Sequence, residues 1–417
     1  MAFFQLSVEE VGKNQYRARE RNAAYPAVDV SLPDYPEFTS DLANLRGRGF
    51  EGPQRYRDQE VIATRVGEHM FRTFLPSPVA QGFHDYRRTH ARPRVALHLP
   101  RSLFALPWEV LKDPSDRAGK FLSLIGSVIR CDESETDGGR LTALLRKERL
   151  KLLAVSANPK DRPVLGDFSW RSSKQLKFKK MSPATFDKFE TTLSHALDCD
   201  GFVFWGHGDI DEQSRHGVLV FLQRSSLRNM WTYVSDPKHG YQIGLLFNDD
   251  SPLRLGYIFA CESAAWLDQK LEFTDSIVGE LLKRTPLAFL VGAQTNLDVY
   301  AAEICLNDSM AALSADPTIP LDLAITAGRR GILNIPAKDM QKYSALDWWV
   351  PVTYVKRSCL LELEEMGWPF DPFLVKVPRP DDTATASPLG GLSAAGNVGT
   401  IQALSMVATA SIKTLFS

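Results

Sequence analysis

Cysteine is scarce in these 417 residues, and the five present (Cys131, Cys199, Cys261, Cys305 and Cys359) include no close pair. Without a CxxC step or a Cys/His set at zinc spacing, neither a thioredoxin-like redox motif nor a structural zinc site is encoded. An odd, sparse count reads as free thiols in a reducing compartment, and so as a cytoplasmic protein. Charge of one sign is lacking too: 49 basic and 50 acidic residues leave a net −1. No global field then draws the chain to nucleic acid or to a membrane surface, and the aromatics lack the basic interleaving of a base-stacking platform. No apolar run approaches the ~20 residues that span a bilayer. The opening MAFFQLSVEE places Glu9 and Glu10 where a signal peptide needs a basic region. The GxSxG elbow, the GxxxxGK[ST] loop and the HExxH metal motif are all missing. No repeat period is present.

What is present is a series of short apolar runs. Residues 1–20 read as a hairpin, FFQLSV and QYRAR about a GKN turn. The stretch from Tyr25 to about Asp58 is rich in Pro and Gly and reads as an irregular connector. Asp58 to Leu75 reads as a helix with Val61, Val66, Phe71 and Phe74 on or near one face. After Arg92 come PRVALHL, LSLIGSVIR, LKLLAVS, GFVFW, GVLVFL, RLGYIFA and PLAFLVGA. Several are almost continuously apolar, as strands buried on both faces are. Helical spacing recurs between them, at Phe186, Phe189, Leu193 and Leu197 and at Phe273, Ile277, Leu281 and Leu282. Strands alternating with helices predict an α/β fold with a mostly parallel sheet flanked by helices. Prolines at 369, 372, 378 and 380 punctuate an exit, after which Thr383–Ser417 carries a single charge, Lys413.

Two strand ends carry chemistry. GFVFW (201–205) runs into Gly206-His207-Gly208-Asp209, and RLGYIFA (254–260) runs into Cys261-Glu262-Ser263-Ala264. In open α/β sheets functional groups collect just beyond the carboxyl ends of strands. If the two strands are parallel neighbours, His207 and Cys261, 54 residues apart in sequence, come out on one rim. An imidazole beside a thiol raises its thiolate fraction and later protonates a leaving amine. The glycines flanking His207 keep the backbone open to a substrate, and the Gly208 and Cys261 amides are candidate oxyanion donors. Taken singly, a cysteine after an apolar strand is a core residue more often than a nucleophile; the pairing at two strand ends is what raises the catalytic reading. His216 and His239 read as surface residues of an insert, and Cys305 as core.

With these segments in view, the sequence resembles the CHAT-domain cysteine proteases, bacterial relatives of caspases and separases. GHG and ACESA resemble that family's two catalytic motifs. LPWEVL (106–111), LLAVSANP (152–159), AFLVGAQ (288–294) with Ala301-Ala302, and Asp347-Trp348 followed by PVTY (351–354) resemble its supporting segments in order. The likeness runs from about residue 3 to 362. It implies a caspase-like fold with His207 as general acid/base and Cys261 as nucleophile of an endopeptidase, Gly208 and Cys261 as oxyanion donors, and no metal or cofactor. It also implies a protein substrate, an upstream sensor or activator, and a setting in bacterial defence or regulated cell death. The implied organisation is an N-terminal accessory region over 1–145, a protease core over 146–378 and a small-residue tail over 379–417. One departure concerns specificity. Relatives that cut after basic residues often carry an acid two positions before the nucleophile, where this chain has Phe259, so an acidic pocket would draw on Asp209 or Asp298. For Asp298 a helix N-cap is an equal expectation. Two rivals stand beside this reading: a catalytically silent scaffold of the same fold, and an α/β hydrolase or transferase that uses Cys261 on a small molecule.

The tail is apolar yet almost uncharged, and Ile401, Leu404, Ala408, Ile412 and Leu415 fall on roughly one helical face. This pattern is compatible with a docking segment for a partner, for self-assembly or for the chain itself, and a flexible terminus is an equal expectation. Deleting residues 383–417 is expected to change oligomeric state, partner binding or basal activity, as read by light scattering, pull-down and peptide turnover.

Overall fold

The apolar runs become strands because a sheet takes them up from both sides. In the computed structural model the described residues are 3–365 without 22–24, 33–35, 47–52, 117–118, 133–140, 142–148, 158–171, 175, 196–197, 212, 215, 228–229, 248–250, 262, 265–275, 316–318 and 336–344. The tail therefore lies outside them. The strands are β1 (Phe4–Gly12), β2 (Gln15–Glu20), β3 (Val28–Ser31), β4 (Arg94–His98), β5 (Ser127–Asp132), β6 (Leu150–Ser156), β7 (Leu176–Met181), β8 (Gly201–Trp205), β9 (Gly208–Ile210), β10 (Gly217–Leu227), β11 (Met230–His239), β12 (Leu255–Phe259), β13 (Phe289–Ala293) and β14 (Pro351–Lys356). Eleven of them form one sheet in the order β3-β2-β1-β4-β5-β14-β13-β12-β8-β6-β7. Its pairing is antiparallel only in the N-terminal hairpin, between β2 and β3, and between β13 and β14. The predicted class, a mostly parallel sheet flanked by helices, is the one observed.

The helices are α1 (Pro36–Arg46), α2 (Pro53–Phe74), α3 (Ser77–Thr89), α4 (Leu122–Ile125), α5 (Phe186–His195), α6 (Gly240–Gly244), α7 (Ile277–Arg284), α8 (Val299–Ala315), α9 (Leu321–Leu333) and α10 (Arg357–Glu365). None that is described is long and apolar enough to cross a membrane. Strands β4, β8, β12 and β13 are buried at every position, which is what continuous apolar runs require.

Several expectations are corrected. The connector at 25–58 contains β3 and α1. Pro36 opens that helix, where a missing N–H costs nothing, and Phe38 and Leu45 bury its inner face. LSLIGSVIR divides at Gly126 into α4 and β5, because a side chain at Gly126 would overlap the Pro93 backbone. In α2 the buried stripe runs through Ile62, Val66, Met70 and Phe74, leaving Val61 45% exposed. GVLVFL does not enter the main sheet. As β10 it forms a separate antiparallel sheet with β9 and β11. The region 1–145 contributes β1–β5 to the same eleven-stranded sheet as the later strands.

A buried polar cluster ties these layers together. Arg130 on β5 is fully buried and donates to Glu109 Oε2 (2.6 Å), Gln294 Oε1 (3.1 Å) and the carbonyls of Phe104 and Leu106. Gln294 Nε2 in turn donates to the same Glu109 oxygen at 3.1 Å. The LPWE segment and the residues just before it thus supply two carbonyls and one carboxylate to a single interior guanidinium. Removing one member of a buried ion pair strands the other in low dielectric at a cost of about 3–5 kcal/mol. Glu109→Ala is expected to lose stability on that scale in urea titration, and Glu109→Gln, which keeps an acceptor, less.

Candidate active site

Strands β8 and β12 are parallel neighbours, and their register runs from Gly201 opposite Leu255 to Trp205 opposite Phe259. His207 and Cys261 each lie two residues beyond that last row. Because adjacent strands lie about 4.8 Å apart, both turns leave the sheet side by side at one rim. Backbone contacts tie them further: the Gly206 amide donates to Phe259 O at 3.4 Å. A Cβ built on Gly208 would collide with Cys261 O and lie 3.0 Å from Ala260 Cβ. Only glycine lets the two turns approach this closely.

Beyond His207 the chain becomes β9. Val220 donates its amide to His207 O at 3.0 Å, and Leu219 stands opposite Gly208. In an antiparallel ladder successive residues turn their N–H groups to opposite sides, so the Gly208 N–H points away from β10. His207 is half-buried, Asp209 exposed.

The turn that carries Cys261 is held by Ser263, a buried residue to which the sequence pattern assigns no role. Its Oγ donates to Ile258 O (3.1 Å) and accepts from the Ala293 amide (3.0 Å), bridging β12 to β13. Its carbonyl accepts from Val278 N at 3.0 Å, while Ala264 N donates to Ala293 O at 2.9 Å. Cys261 Sγ donates to Leu297 O at 3.8 Å. Leu297 precedes Asp298, whose Oδ1 accepts from the Tyr300 and Ala301 amides at 2.9 and 3.2 Å. Asp298 is therefore the N-cap of α8.

Among the five cysteines Cys261 alone is half-exposed; the other four are buried. Burial pushes the thiols of Cys199 and Cys359 up to about 11 and that of Cys305 up to about 12. Those three are held as thiols at neutral pH, where the thiolate is the reactive form. His216 and His239, expected at the surface, are instead half-buried beside each other, with ring centroids 6.3 Å apart and His239 Nε2 3.5 Å from Asp211. They belong to the small sheet.

No family model and no curated protein matches the sequence. Solved structures similar to it include Saccharomyces cerevisiae separase in its complex with securin, at 10% identity and a TM-score of 0.46 over 85% of this chain. This chain spans only 30% of that separase chain. A complex of Porphyromonas gingivalis RgpB pro- and mature domains is similar at 9% identity and a TM-score of 0.37, covering 78% of this chain and 76% of the other. The Arg specific cysteine proteinase gingipain R gives 10%, 0.36, 78% and 74%. At these values the likeness carries no argument about individual residues or about activity.

The close approach at Gly208 has a direct consequence. Gly208→Ala is expected to push the two turns apart, lowering the melting temperature and, in the fraction still folded, cutting the alkylation rate of Cys261 at least tenfold. Ser263→Ala removes two buried hydrogen bonds and is expected to cost about 1–3 kcal/mol in chemical denaturation.

Proposed function

We propose that this chain is a cysteine endopeptidase of the caspase-like, CHAT type, acting on a protein substrate through an acyl-enzyme at Cys261. The observation that carries the reading is the in-register parallel pairing of β8 with β12, with Gly208 packed against the Cys261 main chain. A half-exposed thiol and an imidazole then share one rim, and the other cysteines are held as thiols or sealed in the core.

In this reading the Cys261 thiolate attacks the scissile carbonyl, and a C–S bond forms as the carbonyl electrons move onto oxygen. The Gly208 N–H, turned away from β10, and the Cys261 N–H would hold that oxyanion. Collapse breaks the C–N bond, and protonated His207 gives its proton to the departing amine. Water, deprotonated by His207, then attacks the thioester and releases the acid and the thiol. Asp209 is exposed whereas Asp298 is half-buried at the α8 cap, so Asp209 is the acid more open to a basic substrate side chain. The sparse, unpaired cysteines favour a cytoplasmic setting, and the resemblance of the GHG and ACESA segments to CHAT proteases favours a role in bacterial defence or regulated cell death, with an upstream sensor or activator.

The test is covalent labelling of the full chain by a peptide acyloxymethyl ketone, with the adduct located by mass spectrometry. Wild type is expected to label at Cys261, Cys261→Ala not at all, and His207→Ala at least about 10³-fold more slowly, as for the loss of one member of a unit that acts together. Wild type that stays unlabelled supports the silent scaffold. Turnover of small thioesters without labelling by the peptide supports the small-molecule rival.

A further inference from the structure

One contact at the rim has no part in the proposed reaction and opposes it. The Cys261 S–H donates to Leu297 O at 3.8 Å. A carbonyl oxygen on sulfur favours the protonated thiol, because the same partial negative charge that accepts S–H repels S⁻. The placement of that carbonyl therefore bears on how readily the sulfur ionises.

The carbonyl sits on a short strap, Gln294 to Asp298, that links β13 to α8 and is fastened at both ends to one segment. At the first end the Gln294 amide donates to Val350 O at 3.1 Å, and Gln294 Nε2 donates to Trp349 O at 3.0 Å. At the second, the Asp298 amide donates to Asp347 Oδ2 at 2.7 Å. That is a short, charge-assisted bond to the N–H of the same peptide group that carries Leu297 O. Asp347 belongs to the single-turn helix Ala345–Trp349, whose tryptophans Trp348 and Trp349 are buried. The strap is thus referenced to a packed part of the core and not to the rim it faces.

We propose that Asp347 is a positioning residue for Cys261, holding the Leu297 carbonyl on the thiol through the Asp298 amide so that the resting site stays protonated. This rests on Cys261 being the nucleophile. Breaking the Asp347 bond frees the Leu297 carbonyl to move off the sulfur. Charged or titratable groups on the described segments that meet here include His207 and Asp209 beyond β8, Asp298 at the start of α8, and Arg130 and Glu109, both bonded to Gln294.

The experiment measures the rate at which iodoacetamide alkylates Cys261 in the folded full chain between pH 5 and 10, scored on the Cys261 peptide by mass spectrometry with Cys261→Ala as the blank. Asp347→Ala is expected to lower the midpoint by about one pH unit, which is about a tenfold faster reaction well below it. Asp347→Asn keeps an oxygen for the Asp298 amide and carries no charge, so it should match wild type. If Asn shifts as far as Ala, the carboxylate acts by its charge and the strap does not matter, which overturns the proposal. An unchanged midpoint in Asp347→Ala overturns it as well. Should that variant not fold, Asp347→Ser, whose hydroxyl stops short of the amide, carries the same expectation. Alkylation needs no substrate, so its outcome is separable from the outcome of peptide labelling in Cys261→Ala.

Discussion

The parallel pairing of β8 with β12 governs the rim, because residues two steps past a strand end meet across it only when both strands finish on the same row. Five backbone rows do this, from Gly201 and Leu255 to Trp205 and Phe259. A shift of one residue in either strand would turn its side chains to the opposite face of the sheet. It would also move Cys261 out of step with His207. The register is held by burial: every residue of β8 and β12 is inside, so no slipped pairing hides the same apolar surface. Gly201 and Gly256 sharpen this, since a Cβ at either would run into the neighbouring strand's Leu255 or Leu290.

Around that pairing, short-range bonds convert strand position into atom position. Ser263 fixes the turn after β12 by reaching both Ile258 O and the Ala293 amide. Gln294 then carries the constraint inward to Arg130 and Glu109, which belong to β5 and to the LPWE segment. The site is consequently continuous with the interior of the N-terminal region. Polar groups buried this deeply are costly when unpaired, so the bonds Arg130 makes to Glu109, Gln294 and two carbonyls favour one arrangement of several separate stretches of chain.

The rim is legible in the sequence because its signal is periodic and local. Continuous apolar runs ending in Gly-His-Gly and Ala-Cys mark both where the strands stop and which reactive side chains sit at their ends. Strand β7 is not legible, since Lys177, Lys179 and Lys180 break the apolar run; its alternation becomes visible only once Leu176, Phe178 and Met181 are seen buried. The helix α1 is hidden by the prolines around it, and β10 reads like a main-sheet strand because an apolar run does not announce its partner. Nor can sequence reveal the contacts of Cys261 and Asp347. They run through the Leu297 carbonyl and the Asp298 amide, and almost every residue type carries those groups.

Strand β14 also has a place in time. It lies between β5 and β13, yet among the described strands it is the last to leave the ribosome, at residues 351–356. Without it the sheet divides into two parts, β3-β2-β1-β4-β5 and β13-β12-β8-β6-β7, each with an edge that only β14 covers. Joining them requires contacts across 224 residues of sequence, from Arg130 to Tyr354, the kind of long-range closure that makes folding slow. Open edges of this sort are sticky toward other chains. Strand β14 is thus the seam between the half that carries the rim and the half that carries Arg130 and Glu109, and Gln294, at the end of β13, is the stabilising cluster's own contact across it.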